Sequence, residues 1–313
     1  MTDAARHTGG DCADEVGAAR VAPPVGVVGA GVMGVGVTQC LVAAGYTVVT
    51  VDTDPAALAT APRRLLDGLR LHRLLHPGTG DASPSDSPSS RVCWSDQLRD
   101  LADASFVVEC TRENTSAKER VFRELDALCT PRTVLASCTS AIPIGRLAAV
   151  TDRADRVLGL HFMNPAPLKE TVEVIIAPTT SEDTLDRALS LLGSLGKRGI
   201  VVSDAPGFVS NRILMLTINE AATVVEAGTA DAARVDDIFQ SCFGHRMGPL
   251  ATADLIGLDT VLDSLDVLRQ HTGDERFQPC PLLARLVGKG RTGRKSGAGF
   301  HEYRAPTTRR SPA

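Results

Sequence analysis

Three glycines with a fixed spacing constrain the fold of this chain more than any other feature. Within VGVVGAGVMGVG (residues 25–36), an apolar run leads directly into Gly29-x-Gly31-x-x-Gly34. Between a strand and a helix, the first glycine permits a tight turn, the second lets backbone approach a pyrophosphate, and the third lets helix pack on strand. The free N–H groups at the helix start attract phosphate. The spacing therefore predicts a dinucleotide on the turn formed by Gly29, Ala30, Gly31, Val32, Met33 and Gly34.

The residues after the turn complete one βαβ unit. Apolar side chains on one face predict a helix over residues 32–44, and Gly45 fits the position that ends it. TVVTVD (residues 47–52) predicts a strand that ends in an acid, Asp52. An acid there holds a ribose 2′-hydroxyl and repels a 2′-phosphate, and no Arg follows it immediately, so NAD is favoured over NADP. A glycine-rich turn without any ligand is the alternative.

Strands and helices continue to alternate and then give way to helices alone. The pattern predicts strands near residues 105–110, 133–137, 156–161, 171–176 and 199–204, and helices near 55–75, 115–129 and 181–196. After Pro206-Gly207, residues 208–270 are mostly helical in pattern. The prediction is an α/β fold, in which an N-terminal Rossmann-type doubly wound sheet is followed by an all-helical C-terminal domain.

These patterns also set the expected boundaries. We expect a disordered tail over residues 1–24, an NAD-binding domain over 25–205 and a helical substrate and dimerisation domain over 206–313. Within the first domain, residues 76–91 are rich in Pro, Ser, Gly and Asp, which is typical of a flexible surface loop.

Composition excludes several classes of protein. With 43% apolar residues, 22% charged residues and a net charge of -4, the chain has no basic excess that would indicate a nucleic-acid partner. It has no 18-residue apolar run for a membrane span and no signal-peptide core, so we expect a cytoplasmic protein. The 8 cysteines show no C-x-x-C and no metal-ligand spacing, which predicts reduced thiols and no metal site.

A second stretch, GLHFMNPAPLKETVEVI (residues 159–175), carries groups suited to proton transfer. His161 ends one predicted strand and Glu173 lies in the next, so the two face each other if the chain doubles back near Pro167. A carboxylate beside an imidazole fixes its tautomer and stabilises its protonated form. Such a pair lets the imidazole take a hydroxyl proton while hydride leaves the same carbon for nicotinamide. A purely structural hydrogen bond is the alternative.

Several blocks together resemble the 3-hydroxyacyl-CoA dehydrogenase family, including the bacterial 3-hydroxybutyryl-CoA dehydrogenases. The resemblance extends from about residue 25 to residue 303. Its blocks are GAGVMG (29–34), ASCTSAIPI (136–144), GLHFMNPAP (159–167), EVI (173–175), DAPGFVSNRIL (204–214), GPLATADLIGLDT (248–260) and RTGRKSGAGFHEY (291–303).

The resemblance implies roles for individual residues. His161 is the implied general base, Glu173 orients it, and Ser140 and Asn211 hydrogen-bond the substrate oxygen. The implied positions near the cofactor are Glu113, Lys118, Ser140, Asn164 and Lys295. The resemblance also implies a homodimer formed through the helical domain.

The residues themselves allow simpler interpretations of three of these positions. Ser140 is also a candidate N-cap for a helix over residues 142–150, and Asn211 a candidate cap or turn residue at the domain junction. Glu113 and Lys118 are candidates for an ordinary solvated ion pair.

Two departures from the family concern the substrate. Cys138 stands where the family usually has Asn, so a side-chain amide is replaced by a thiol, a weak hydrogen-bonding group. The family's lysine-bearing helical hairpin, which contacts coenzyme A, falls in a part of this chain that has no Lys before Lys118. Arginines are available there to meet phosphates instead, namely Arg63, Arg64, Arg70 and Arg73.

The expected function is NAD-dependent oxidation of a 3-hydroxyacyl thioester, linked to CoA or to an acyl carrier protein, to the 3-oxoacyl thioester. One alternative is a dehydrogenase specific for a carrier protein, such as a glyceryl carrier in polyketide extender-unit synthesis. A second alternative is a dehydrogenase of a free hydroxy acid, similar to gulonate dehydrogenase. The third is a non-enzymatic NAD-binding protein similar to lens crystallins.

Overall fold

The computed structural model describes residues 23–75 and 88–303. The expectation of a disordered tail over residues 1–24 therefore lies almost wholly outside the described residues, and so does the expected loop over 76–91, apart from residues 88–91. Those four residues form a short 3₁₀ helix, Pro88–Arg91.

The first two thirds of the chain alternate between strands and helices. The strands are β1 Val25–Val28, β2 Val48–Val51, β3 Val92–Ser95, β4 Phe106–Glu109, β5 Val134–Ser137, β6 Val157–Phe162, β7 Thr171–Ile176 and β8 Arg198–Ser203. The helices are α1 Val32–Ala43, α2 Pro55–Leu75, α3 Thr115–Leu128, α4 Ile144–Ala148 and α5 Glu182–Ser194. The sequence predicted every one of these strands except β3, which is four residues long, lies at the sheet edge and has half-exposed side chains.

The strands form one sheet in the order β3-β2-β1-β4-β5-β6-β7-β8. Neighbouring strands are parallel from β3 to β6, whereas β7 runs antiparallel to β6 and parallel to β8. The strand order changes direction between the parallel neighbours β1 and β4. Ligands bind such sheets outside the carboxyl ends of the strands at that point. The expected doubly wound sheet is confirmed, with one antiparallel pair that places His161 opposite Glu173.

Helices cover both faces of the sheet because the buried parallel strands are apolar on both sides. On one face, the core is built from α1, α2 and α5, with Leu41, Leu65 and Leu192 essentially inaccessible to solvent. On the other face, α3 and α4 contribute Phe122 and Leu147 to a second core. Helix α1 is buried nearly all round, and Gly45 ends it with a φ of 91°.

The last third of the described chain folds as packed helices. They are α6 Ser210–Glu226, α7 Ala232–Ser241, α8 Pro249–Ile256, α9 Leu258–Thr272 and α10 Pro281–Gly288, and they share a third core. Over the described residues, no helix is long and apolar enough to cross a bilayer. The expected order of an NAD-binding domain followed by a helical domain is confirmed.

Two features fix the chain where it leaves the sheet for helices α6 to α10: hydrogen bonds that Asp204 accepts from α4, and a constrained glycine. The Asp204 carboxylate, just after β8, accepts the N–H groups of Ile144 and Gly145 at the start of α4. Gly207 has a φ of +71°, and a Cβ there would lie 2.4 Å from the Leu268 side chain of α9. The chain therefore crosses between the sheet and the helices through a turn that only glycine fits.

Candidate active site

The glycine turn leaves its middle residue open. A Cβ on Gly29, whose φ is +103°, would lie 2.8 Å from the carbonyl oxygen of Cys110, and a Cβ on Gly34 would lie 1.7 Å from the carbonyl oxygen of Gly29. Packing therefore requires the first and third glycines. Around a Cβ built on Gly31 nothing lies within 4 Å, so the backbone there faces open space.

The surroundings of that opening fit a dinucleotide. Helix α1 begins there without a side-chain cap, which leaves its first N–H groups available to phosphate oxygens. Asp52 lies beside the turn, where its carboxylate accepts the Ala30 N–H at 2.6 Å and the Asp54 N–H at 2.9 Å. Val32 is exposed at the helix start, while Met33 is half-buried against the core. These groups suit NAD, because N–H groups can bind a pyrophosphate and a carboxylate can accept hydrogen bonds from a ribose.

His161 and Glu173 form the centre of a second site. They are direct partners in the antiparallel register of β6 and β7, and His161 Nδ1 lies 3.1 Å from Glu173 Oε2. Both side chains are more than nine-tenths buried. The start of α6 supplies three further donors to the carboxylate: Ser210 Oγ at 2.6 Å, Val209 N–H at 2.9 Å and Ser210 N–H at 3.2 Å.

These donors keep Glu173 ionised. Burial raises the pKa of Glu173, but hydrogen bonds from His161, from the Ser210 hydroxyl and from two backbone N–H groups outweigh it and lower the pKa to about 2. The ionised Glu173 accepts a hydrogen bond from the N–H at Nδ1 of His161, so the lone pair of the neutral imidazole is on Nε2. Nε2 in turn lies 3.1 Å from Ser140 Oγ. The ring is thus prepared to accept a proton at Nε2.

Glu113 holds Ser140 in place. Its Oε1 accepts the Thr139 hydroxyl at 2.5 Å, the Ser140 N–H at 3.0 Å and the Ala141 N–H at 2.9 Å. The interpretation of Ser140 as a helix N-cap is wrong, because α4 starts at Ile144 and its cap position is Pro143. The Ser140 hydroxyl does not cap α4 and faces His161 instead.

Lys118 is part of a buried ion pair. Its ammonium group lies 2.8 Å and 2.9 Å from the two oxygens of Glu109, and its side chain is 1% exposed. Burial lowers the pKa of Lys118, but the charges of Glu109 and Glu113 raise it by more, so Lys118 is a cation. The alternative of a solvated Glu113–Lys118 pair is wrong, since Lys118 is enclosed and its nearest carboxylate is Glu109.

Asn211 supplies an unused hydrogen-bond donor. It lies in the first turn of α6 directly after Ser210 and is 8% exposed. Its Nδ2 atom is buried and has no hydrogen-bond partner within the described chain. An unpaired buried donor costs about 1–3 kcal/mol, so this atom is suited to donate to an oxygen of a bound molecule.

The other predicted residues lie further from the His161–Glu173 pair or on the protein surface. Asn164 is exposed and borders a cavity of about 210 Å³ that is also lined by Gln39 and Arg64. Lys295 is in the helical domain, where its ammonium group lies 2.6 Å from both oxygens of Asp259. Of the arginines of α2, Arg63 and Arg70 pair with Asp67 on the surface of the helix.

Sequence reasoning missed four residues that assemble this site. Ser210 and Asp204 both fall inside the block DAPGFVSNRIL, so their position beside Asn211 was a usable signal. Glu109 is the last residue of β4, and Asp52 directly follows β2. An acid at the end of a strand was therefore a second usable signal. Thr139 falls inside the block ASCTSAIPI beside Ser140, but its partner Glu113 is 26 residues away, so the contact itself gave no sequence signal. Among the described residues, no group of His, Cys, Asp and Glu has the arrangement of a metal site.

Comparison with known families covers nearly the whole described chain. The family model for the 3-hydroxyacyl-CoA dehydrogenase NAD binding domain matches residues 24–205. The model for the 3-hydroxyacyl-CoA dehydrogenase C-terminal domain matches residues 207–303. A probable 3-hydroxybutyryl-CoA dehydrogenase of Bacillus subtilis is 42% identical over 282 residues, which are 90% of this chain and 98% of the relative.

Solved structures agree with these matches. The crystal structure of FadB2 of M. tuberculosis superimposes with a TM-score of 0.83 at 36% identity, covering 90% of this chain and 99% of that one. The (S)-3-hydroxybutyryl-CoA dehydrogenase PaaH1 of Ralstonia eutropha gives a TM-score of 0.81 at 37% identity, with the same coverage of 90% and 99%. The similarity therefore includes both the sheet and the helices.

Proposed function

The chain belongs to the 3-hydroxyacyl-CoA dehydrogenase family, and on that premise we propose that it oxidises a 3-hydroxyacyl thioester with His161 as the general base. The overall reaction converts the 3-hydroxyacyl thioester and NAD⁺ to the 3-oxoacyl thioester, NADH and a proton. The observation that carries the proposal is the position of His161, whose two ring nitrogens face Glu173 and Ser140.

The cofactor is NAD. The N–H groups at the start of α1 and the open backbone at Gly31 suit its pyrophosphate, and Asp52 suits the adenosine ribose. When bound, NAD supplies the acceptor for the hydride. Glu113, Lys118, Asn164 and Lys295 are further proposed cofactor residues; Lys118 acts by holding Glu109 and the loop that follows it.

Proton transfer is the task of the chain's own residues. The substrate hydroxyl takes the place beside Nε2 of His161, and its proton passes to that nitrogen. Glu173, ionised and held by four hydrogen bonds, stabilises the resulting imidazolium and keeps the ring oriented. Ser140 and the unpaired Nδ2 of Asn211 donate hydrogen bonds to the substrate oxygen and so position its carbon.

The carrier of the acyl group is the finer part of the proposal. Two of the relatives named above are 3-hydroxybutyryl-CoA dehydrogenases by name, and the cavity between α1 and α2 is lined by Arg64, whose guanidinium suits a phosphate. We propose a CoA thioester as substrate, with an acyl carrier protein as the alternative because lysines are absent from α2. The phosphopantetheine arm is common to both carriers.

The decisive experiment follows NADH formation with a panel of 3-hydroxyacyl groups on CoA, on a carrier protein and as free acids. We expect the CoA thioesters to give the highest kcat/KM, and His161→Gln to lower it by roughly 10²–10⁴-fold while NAD binding persists. Unchanged turnover in that variant contradicts the role of His161. Faster oxidation of carrier-linked groups supports the carrier alternative, and equal rates on free acids support the gulonate-type activity. Inactivity on the whole panel with NAD still bound supports the crystallin-like alternative.

We also propose a homodimer through the helical domain in a cytoplasmic protein. Large apolar side chains are exposed on these helices, including Ile213, Ile238, Phe243 and Leu255. A contiguous exposed apolar patch marks a protein interface, and the proposal is that these side chains form one. Sedimentation analysis tests the dimer: Ile213→Glu and Phe243→Glu are expected to yield monomers, and a monomeric wild-type protein contradicts it.

A further inference from the structure

Two cysteines that are far apart in sequence lie side by side at the carboxyl ends of β4 and β5. Glu109 and Ser137 are partners in the parallel register of these strands, and Cys110 and Cys138 each follow one of them. The Cys138 N–H donates to the Glu109 carbonyl at 2.7 Å, so the two strands are still paired there. Paired strands lie about 4.8 Å apart, which is within the roughly 4.4–6.8 Å Cα separation that a disulfide spans.

The two side chains point to the same face of the sheet. Both pack against the core formed with α1, α2 and α5, and both keep part of their surface exposed. The thiols interact directly: a hydrogen bond between them raises the pKa of Cys110, where burial acts in the same direction. The same hydrogen bond lowers the pKa of Cys138, where burial opposes it and the Phe162 N–H adds to it.

We propose that Cys110 and Cys138 form a reversible oxidation site, which closes to an intramolecular disulfide in response to peroxide and slows turnover. The arrangement has the two parts that such a site requires. Cys138 is the reacting thiol, since donors favour its thiolate, and Cys110 is the resolving thiol beside it.

The chemistry balances with hydrogen peroxide as the oxidant. The Cys138 thiolate attacks one peroxide oxygen, the O–O bond breaks, and a sulfenic acid forms as hydroxide leaves. Cys110 then attacks that sulfur, forming the S–S bond as the sulfenic oxygen leaves as water. In sum, two thiols and one peroxide give one disulfide and two waters. A dithiol reductant reverses the bond by exchange.

The bond would act on the site through its neighbours. Cys138 is two residues before Ser140, whose Oγ lies 3.1 Å from Nε2 of His161. Drawing Cys138 towards Cys110 shifts Ser140 relative to His161. Because misplacement by about 1 Å costs on the order of 10²-fold in rate, we expect the oxidised enzyme to have kcat lower by that order.

The other cysteines of the described residues do not compete with Cys110 and Cys138 for disulfide formation. Cys40, Cys129 and Cys280 are buried, and burial raises the pKa of Cys40 and of Cys129 to about 11. Cys93 and Cys242 are exposed and react as independent thiols. A Cys12→Ser, Cys93→Ser, Cys242→Ser background, which also removes the one cysteine outside the described residues, therefore isolates the proposed pair.

The test oxidises the full-length protein in that background with hydrogen peroxide and digests it with trypsin after alkylation. The peptides 100–112 and 133–146 carry Cys110 and Cys138 as their single cysteines. We expect them to be recovered as one cross-linked species, with kcat falling on the order of 10²-fold and returning with dithiothreitol. The matched control is Cys110→Ser, which is expected to keep its basal turnover and to yield neither the cross-link nor the reversible loss.

Two results overturn the proposal. One is recovery of both peptides as unlinked alkylated species after peroxide treatment. The other is a cross-linked enzyme that turns over as fast as the reduced one. The peptide analysis needs no substrate, so a failure of the proposed dehydrogenase activity is distinguishable from a failure of this inference.

Discussion

Two carboxylates are buried in the same sheet, and they have different partners. Glu109 ends β4 and binds Lys118, a group that is a cation throughout the neutral pH range. Glu173 lies in β7 and binds His161, an imidazole whose second ring nitrogen can accept a proton. Both also accept hydrogen bonds from nearby hydroxyl groups, Ser137 for Glu109 and Ser210 for Glu173.

The difference separates a pair with a structural role, Glu109–Lys118, from a pair with a proposed role in proton transfer, Glu173–His161. The Glu109–Lys118 pair has a fixed charge state, so it can only hold the loops that follow β4 and β5. The Glu173–His161 pair has a partner that faces Ser140 on its other side, so a proton can arrive there. Breaking the first pair should therefore destabilise the fold, whereas breaking the second should slow the reaction.

The largest expected effect comes from Glu173→Gln. The glutamine keeps the shape and still accepts the Val209 and Ser210 N–H groups, but its NH₂ donates to Nδ1 of His161. The proton then moves to Nε2, where it blocks the general base. We expect kcat to fall roughly 10²–10⁴-fold, while the free energy of unfolding falls by no more than the roughly 3 kcal/mol that the ionised carboxylate contributes. A variant that loses this stability but keeps its kcat would mean that Glu173 is structural, like Glu109.

The next largest effect concerns the other pair. Lys118→Met leaves the Glu109 carboxylate buried without its cation, and the free energy of unfolding should fall by roughly 3–5 kcal/mol in urea titrations. The matched surface control is Arg285→Met, which breaks a pair with Glu226 whose side chains are 51% and 32% exposed. This control should cost no more than about 1 kcal/mol. Similar losses of unfolding free energy in the two variants would contradict the conclusion that Lys118 and Glu109 form an enclosed pair.

Acid titration sharpens the same comparison. The pKa of Glu173 is about 2 in the folded chain against 4.5 for the free side chain, so the folded state favours the ionised form. That contribution, about 3 kcal/mol, is fully present above pH 4.5 and is lost as pH falls towards 2. In urea titrations at successive pH values, Glu173→Gln should lose less stability over this range than the wild type does. Parallel curves would contradict the low pKa.

The smallest expected effect is that of Ser140→Ala. The change removes a hydrogen bond to the substrate oxygen and to Nε2 of His161 but leaves the Glu113 contacts to the loop backbone. A net loss of about 0.5–1.5 kcal/mol corresponds to a drop of roughly twofold to thirteenfold in kcat/KM. Steady-state kinetics with a confirmed substrate measures it, and a drop as large as that for His161→Gln would make Ser140 part of the base itself.

How well the sequence predicted the site depended on how many residues separate the side chains that meet there. The glycine turn and Asp52 belong to one βαβ unit of known geometry, so their positions were readable. His161 and Glu173 are 12 residues apart on consecutive strands, which still permitted their pairing to be predicted. Ser210 is 37 residues from Glu173, and Cys110 and Cys138 are 28 residues apart, beyond the range of any local pattern.

The sequence by itself determined the order of strands and helices, the glycine turn, its acid and the change to helices after Gly207. These are local properties, set by hydrophobic periodicity and backbone freedom over a few residues. The tertiary structure decided that Lys118 is enclosed rather than solvated, that Ser140 faces His161 rather than capping a helix, and that two thiols adjoin. Such contacts depend on the register of neighbouring strands, which is fixed only when the whole sheet packs against its helices.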